Sequence, residues 1–292
     1  MKLQGVLPAL VTPFDASNNI NFDAMADIIE HQLKAGVSGF VGMGTTGENY
    51  ALSDDERLQV LGFLRETVGD RGTLIAGANG GCTSEVIDRI KAVRDTGYTN
   101  ILVAPPYYAL PSQEELINHY EQILEAVQDI NVVLYNYPVR TNVEVGYDVL
   151  ETFKDHERVI GIKESSGDLL RGIRIGTDYK DNYQLSCGSD DQAFDFFIWG
   201  ATSWICGPAN CFPDQICEFY RRFTAGDRDG AQAIMQSLFP VIAQMEEGKF
   251  IQKVKYGCEL AGFNPGGCRA PLLPLTDDEK RRFRAAFEAI NG

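Results

Sequence analysis

Apolar, β-branched runs recur about every 20 to 35 residues, and amphipathic stretches fill most of the gaps between them. A parallel sheet whose strands are joined by crossover helices has this alternation. The runs are Gly5 to Phe14, Gly39 to Gly44, Thr73 to Asn79, Asn100 to Pro106, Asn131 to Pro138, Val159 to Ser166, Tyr183 to Asp190 and Thr202 to Asn210. Helical spacing predicts helices at Phe22 to Ala35, Asp54 to Val68, Ser84 to Thr96 and Gln113 to Val127, several opened by a Ser, Thr or Asp cap. Ser53 with Glu56 three residues later forms a capping box.

Eight strand-helix units whose strands are too apolar to face water predict a closed α/β architecture, a (β/α)8 TIM barrel, rather than an open doubly wound sheet. A Rossmann-like domain is the alternative, but Leu7-Pro8-Ala9-Leu10-Val11-Thr12-Pro13 stands where a G-x-G-x-x-G turn would follow the first strand. From Phe212 to Gly292 the chain reads as helix throughout, with amphipathic segments at Gln215 to Thr224, Gly230 to Met245, Phe250 to Ala261 and Asp277 to Ile290. The expected division is a catalytic barrel of residues 1–225 and a C-terminal helical extension of residues 226–292 packed on it.

Composition narrows the partners. With 292 residues and 44% hydrophobic content the chain can bury a large core, and no linker or low-complexity tract marks a boundary. A net charge of −15 excludes nucleic acid and anionic membrane, which need basic surface. An anionic small substrate would need a local cluster of donors at the strand ends. Met1-Lys2-Leu3-Gln4 leads directly into strand without a signal-peptide pattern, and no apolar run is long enough to cross a bilayer, so a soluble cytoplasmic protein is expected. Seven cysteines without a CxxC pair, and three histidines remote from them, predict free thiols and no metal site.

The chemistry centres on Lys163, which ends the strand-like run Val159-Ile160-Gly161-Ile162 while the other nine of the ten lysines fall in helical or loop-like stretches. Burying an ammonium costs several kcal/mol by order of magnitude unless it is paired or deprotonated. An amine in such a setting has a use as a nucleophile that attacks a carbonyl and forms a Schiff base. In a barrel the active site lies at the C-terminal ends of the strands. Those ends carry Thr12, Thr45 to Glu48, Asn79, Tyr107, Tyr108, Tyr135, Asn136, Arg140, Lys163, Ser189, Asp190 and Asn210.

Within that ring, Gly42-Met43-Gly44-Thr45-Thr46-Gly47-Glu48 is a tight turn whose amides can converge on a carboxylate, with Glu48 as a structural acid bonding loop amides. Tyr135, one strand from Lys163, offers a phenol for proton transfer, and Arg140 a planar fork for a second carboxylate. Of Tyr107 and Tyr108 only one can face inward, and the other suits a subunit contact. Asp190-Asp191 has no histidine nearby, which argues against metal dependence.

Gly44-Thr45-Thr46-Gly47-Glu48, Tyr135-Asn136-x-Pro138 and Gly161-Ile162-Lys163-Glu164, in this order and spacing, resemble the dihydrodipicolinate synthase and N-acetylneuraminate lyase family of class I pyruvate aldolases. The resemblance runs from Gly5 to about Asn210 and more weakly to the end. It implies a TIM barrel, a homotetramer built as a dimer of dimers, and an imine on Lys163 with no external cofactor. Tyr135 is similar to the family's proton-transferring phenol. Thr45 resembles the hydroxyl that links Tyr135 to a second tyrosine, and Tyr108 resembles that tyrosine, lent across a dimer interface. Thr46 and Gly47 fall in the pyruvate carboxylate site, and Ile205 resembles the residue whose carbonyl faces the keto acid.

Arg140-Thr141 is similar to the synthases, where this arginine serves the carboxylate of aspartate semialdehyde. The implied reaction condenses pyruvate with L-aspartate 4-semialdehyde, as in lysine biosynthesis. Two features depart from that pattern. Phe250-Ile251-Gln252-Lys253-Val254-Lys255 keeps only the lysine of an Asn-Pro-x-Pro-x-Lys segment, and Gly81 replaces an asparagine of lysine-inhibited synthases although Glu85 and Tyr107 match. The alternative is a catabolic aldolase or dehydratase of a 2-keto-3-deoxy sugar acid or 4-hydroxy-2-oxoglutarate.

Overall fold

The computed structural model describes residues 2–290; the last two residues of the expected 226–292 extension therefore lie outside the described residues. Its strands are β1 (Gly5–Pro8), β2 (Gly39–Gly42), β3 (Thr73–Gly77), β4 (Asn100–Val103), β5 (Asn131–Asn136), β6 (Val159–Glu164), β7 (Gln184–Cys187) and β8 (Ser203–Cys206). They form one eight-stranded sheet in the order β1-β8-β7-β6-β5-β4-β3-β2. The amide of Ala9 donates to Cys206 O at 2.8 Å and that of Leu10 to Val41 O at 3.0 Å, so the chain just past β1 bonds to both flanking strands. The fold is a (β/α)8 TIM barrel with C-terminal helices.

Helices α1 (Phe22–Ala35), α2 (Asp54–Val68), α3 (Thr83–Asp95) and α4 (Gln113–Ala126) follow the first four strands. The short α5 (Pro138–Thr141) and α6 (Tyr147–Phe153) follow β5; α7 (Leu169–Asp178), α8 (Ala193–Ile198) and α9 (Pro213–Thr224) follow β6, β7 and β8. Then come α10 (Arg228–Glu246), α11 (Phe250–Leu260) and α12 (Asp277–Glu288). The Ser53 and Glu56 capping box forms at α2 as the sequence predicts. The C-terminal region is not helix throughout: the stretch between α11 and α12 holds Pro265, three glycines and Pro271, which cannot sustain a helix.

The chain packs as two compact units, Met1–Gln4 with Leu74–Ile205 and Gly5–Thr73 with Cys206–Gly292. The first holds β4 to β7 and α3 to α8, its core built from Ile101, Leu102 and Val103 of β4, Val132, Val133 and Leu134 of β5, and Ile162 of β6. Side chains fix the strand starts: Asn131 Nδ2 donates to Asn100 Oδ1 at 2.9 Å, and Asn100 Nδ2 to Leu74 O at 3.2 Å. In the second unit Asn210, expected in the reactive ring, is wholly buried and spent on structure. Its Nδ2 donates to Ala9 O and Gly207 O, and its Oδ1 accepts from the Val11 amide.

Between α3 and α4, His119 is 2% exposed, with Nδ1 2.9 Å from Thr83 Oγ1 and no partner for Nε2. Burial holds this imidazole down at about 4, below its usual 6.5. Between those two values the unfolded chain binds a proton that the folded chain refuses, so stability falls as pH drops from about 6.5 toward 4. The loss approaches about 3 kcal/mol toward pH 4, and it sets in near pH 6.5, above the range where most carboxylates titrate. His119→Gln is expected to flatten this part of the stability profile, measured by urea unfolding between pH 7 and 4.5; an unchanged slope would assign the acid loss elsewhere.

Candidate active site

β5 and β6 pair in parallel with Tyr135 opposite Lys163 and Asn136 opposite Glu164. Successive strand residues face opposite sides, so Tyr135 and Lys163 share one face and Asn136 and Glu164 the other. Lys163 is 7% exposed, and its Nζ stands 4.5 Å from the centre of the Tyr135 ring. Among the described residues no carboxylate lies within ion-pair distance of it. On β7 its opposite residue is Ser186, which in turn faces Ser203 of β8; both serines are wholly buried.

The opposite face is a closed polar network. Glu164 accepts from Asn136 Nδ2 at 2.9 and 3.0 Å, from Arg171 Nε at 2.8 Å and from the Ser166 amide at 2.7 Å. Asn136 Oδ1 accepts from the Val145 amide at 2.9 Å, and Arg171 also bonds Val145 O. With its acceptors filled, this network anchors the end of β6 and leaves Asn136, expected in the ring, out of reach of the Lys163 face.

Room for the lysine comes from a residue that the sequence reading passed over. A Cβ on Gly188 would stand 2.8 Å from Lys163 Cε and 2.0 Å from Ser165 Oγ. Ser165, two residues after Lys163 and on its face, is buried, and its hydroxyl has no partner. The signal was present only as a glycine near the end of an apolar run, the commonest of punctuation.

Arg140 lies on α5, exposed, with its guanidinium carbon 6.0 Å from the Tyr137 ring centre, and Tyr137 stacks on Tyr135 at 5.8 Å. A column Lys163, Tyr135, Tyr137, Arg140 results. Arg140 makes no ion pair among the described residues, so its fork is available to an anion. Tyr108 is 89% exposed and Tyr107 48%, beside the exposed apolar Leu110. Ile205 is wholly buried at β8. Asp190 accepts from Trp204 Nε1 at 2.8 Å, and among the described residues no cluster of three His, Cys, Asp or Glu is arranged to hold a metal.

In the second unit, Thr45, Thr46 and Gly47 form the turn after β2. Thr12 Oγ1 donates to Gly47 O at 2.7 Å, and the Glu48 amide to Thr45 O at 3.0 Å. The amides of Thr46 and Gly47 donate to nothing among the described residues although both residues are buried. Paired backbone donors are the rule in buried positions, so two adjacent unspent amides are donors free to meet an anion. Glu48 is structural, as expected, but the amide it binds is that of Arg269, 221 residues on.

Residues 2–290 match the model of the dihydrodipicolinate synthetase family. A 4-hydroxy-tetrahydrodipicolinate synthase of Exiguobacterium sp. is 32% identical over 287 residues, 98% of each chain, and one of Laribacter hongkongensis is 33% identical over 289 residues, 99% of each. The solved 4-hydroxy-tetrahydrodipicolinate synthase of Methylacidiphilum fumariolicum SolV superposes with a TM-score of 0.95 at 26% identity, over 99% of this chain and 96% of that one. The dihydrodipicolinate synthase of Acinetobacter baumannii, solved with pyruvate, gives 0.95 at 29% identity over 99% of each.

The Gly188 contact gives a test of the Lys163 geometry. Gly188→Ala is expected to keep the fold while displacing the lysine, lowering the rate of borohydride-trapped adduct formation with a small keto acid by about a hundredfold, the scale of a 1 Å misplacement. Trapping at the parental rate would show that the side chain has room to spare.

Proposed function

Because the chain belongs to the dihydrodipicolinate synthetase family, we propose that it condenses pyruvate with L-aspartate 4-semialdehyde to 4-hydroxy-tetrahydrodipicolinate through a Schiff base on Lys163. The observation that carries this reading is a buried lysine without a counter-ion, its Nζ 4.5 Å from the ring centre of Tyr135.

The Lys163 amine adds to the keto carbon of pyruvate, and the carbinolamine loses water to give the imine. A proton leaves the methyl carbon, and the resulting enamine attacks the aldehyde carbon, whose oxygen takes up a proton. The amino group of the semialdehyde portion then displaces lysine from the imine carbon and closes the ring, returning Lys163 as the amine. The net reaction releases one water, and no external cofactor enters the balance. Tyr135 moves protons in these steps, and the family resemblance assigns Thr45 and Tyr108 to the same proton transfer.

The unspent amides of Thr46 and Gly47 support the pyruvate carboxylate site, with the Ile205 carbonyl facing the keto acid. The free fork of Arg140 supports binding of the semialdehyde carboxylate. Tyr108 at 89% exposure supports its donation to a neighbouring protomer. Exposed Leu170, Ile198 and Trp199 on α7 and at the end of α8 offer a second contact, in keeping with a homotetramer, a dimer of dimers. No helix among the described residues is long and apolar enough to cross a membrane, which fits cytoplasmic placement. The barrel of residues 1–225 carries the chemistry and 226–292 the helical extension.

Borohydride added with pyruvate is expected to leave one reduced pyruvate adduct on Lys163 by mass spectrometry, and Lys163→Ala none; an unmodified Lys163 sinks the imine. Tyr135→Phe is expected to slow turnover roughly 100- to 10,000-fold. Arg140→Ala is expected to cost roughly 10- to 150-fold in kcat/KM for the semialdehyde, the worth of a hydrogen bond to a charged group, with pyruvate trapping unchanged. If the semialdehyde is inert with pyruvate while a 2-keto-3-deoxy sugar acid releases it, the enzyme is the catabolic aldolase instead.

A further inference from the structure

We propose that Lys255 and Arg269 are positioning residues that set the affinity for the keto-acid carboxylate by clamping Glu48 behind the Thr45–Gly47 turn; this rests on the reading of that turn as the carboxylate site. Glu48 is wholly buried and takes φ 54°, a left-handed conformation disfavoured for a residue with a side chain. Such a conformation persists only where the surroundings over-determine it. The turn residues Thr45 to Gly47 immediately precede it, so the orientation of their peptide planes depends on how firmly Glu48 is held.

The clamp has three parts. Lys255 on α11, 2% exposed, stands 2.6 Å from Glu48 Oε1 as an ion pair, while its in-line hydrogen bond goes to Gly267 O at 2.7 Å. The Arg269 amide donates to Glu48 Oε2 at 2.9 Å. The Arg269 guanidinium grips Glu56 at the start of α2 at 2.5 and 2.8 Å and donates to Ala51 O at 3.0 Å, just past the turn. That grip holds the Glu56 carboxyl down at about 2. Burial together with the Glu48 carboxylate pushes the neighbouring Cys268 thiol up to about 12, so Cys268 brings no charge to the clamp at neutral pH.

The segment carrying Gly267 and Arg269 is itself fixed to Phe14 in the loop that follows β1. The Phe14 amide donates to Pro265 O at 3.0 Å, and the Phe14 ring receives the Lys255 ammonium at 4.3 Å and the Arg269 guanidinium carbon at 4.5 Å. A side chain at Gly266, φ 66°, would strike Phe14 O at 2.0 Å. The C-terminal end of the turn is thus held twice, by Thr12 on the Gly47 carbonyl and by the clamp on Glu48. The arrangement also gives a reason for the single lysine kept from the Asn-Pro-x-Pro-x-Lys pattern: the prolines there shape backbone, whereas the lysine neutralises a buried carboxylate.

The test is pyruvate dependence in the full-length enzyme. Lys255→Met is expected to raise half-saturating pyruvate for borohydride trapping roughly tenfold or more, with turnover at saturating pyruvate within about threefold of the parent and partial recovery in Lys255→Arg. A lower Tm with unchanged half-saturation would make the clamp purely structural and overturn the proposal, as would an equal loss in turnover. Should Lys255→Met fail to fold, Arg269→Met, at a more exposed ion pair, decides by the same split in the same direction. If the parent enzyme itself traps no pyruvate, the Schiff-base reading fails first and takes this inference with it; trapping in the parent with no shift in either variant overturns the clamp alone.

Discussion

A buried lysine without a counter-ion is the constraint from which the rest of this molecule follows. The described buried Lys, Arg, Asp and Glu side chains are Glu48, Lys163, Glu164, Arg171, Asp190, Lys253 and Lys255. Each has a hydrogen bond or ion pair except Lys163. A structure that elsewhere answers every buried charge, yet leaves one amine with only an aromatic face and hydroxyl neighbours, holds that amine at a standing cost that packing does not offset. Covalent chemistry is the use we propose for it.

Strand alternation lets this coexist with a stable sheet. Glu164, adjacent in sequence to Lys163, points to the other face and is saturated by Asn136, Arg171 and a backbone amide. A single strand end thus presents an unpaired lysine on one side and a closed ion-pair network on the other. The network costs desolvation but fixes the backbone of β6 at the point where a displacement would be felt at Nζ. Two residues of one dipeptide do opposite jobs because the pleat separates them.

The fold was legible because its signals are local. Helices α1 and α2 lie at the residues that periodicity and capping predict, and the eight apolar runs contain the eight strands, each longer than its strand because it runs on into the loop at the strand's C-terminal end. Lys163, Tyr135 and Arg140 were legible for the same reason: residue type and strand end suffice to single them out. Asn136 and Asn210 were misplaced because strand ends carry polar residues of both kinds, and only the facing side tells a saturated amide from a free one. Gly188 and the unpartnered Ser165 were missed since what matters there is a space, which no sequence pattern encodes.

The pairing of Glu48 with Lys255 and the Arg269 amide was beyond reach for a different reason. Each residue could be noticed separately, Glu48 as a structural acid and Lys255 as the survivor of a motif, but more than 200 residues separate them and nothing local joins them. Their contact alters what the C-terminal region is for. A helix whose buried face carries a lysine, followed by a segment of glycines and prolines that reaches Phe14 in the loop after β1, is more than a cover for apolar surface. Because a buried carboxylate deprived of its cation is worse than a hydrophobic pair, Glu48 and Lys255 are constrained to persist together. Through the left-handed backbone at Glu48, that joint constraint bears on the turn that carries the two unspent amides.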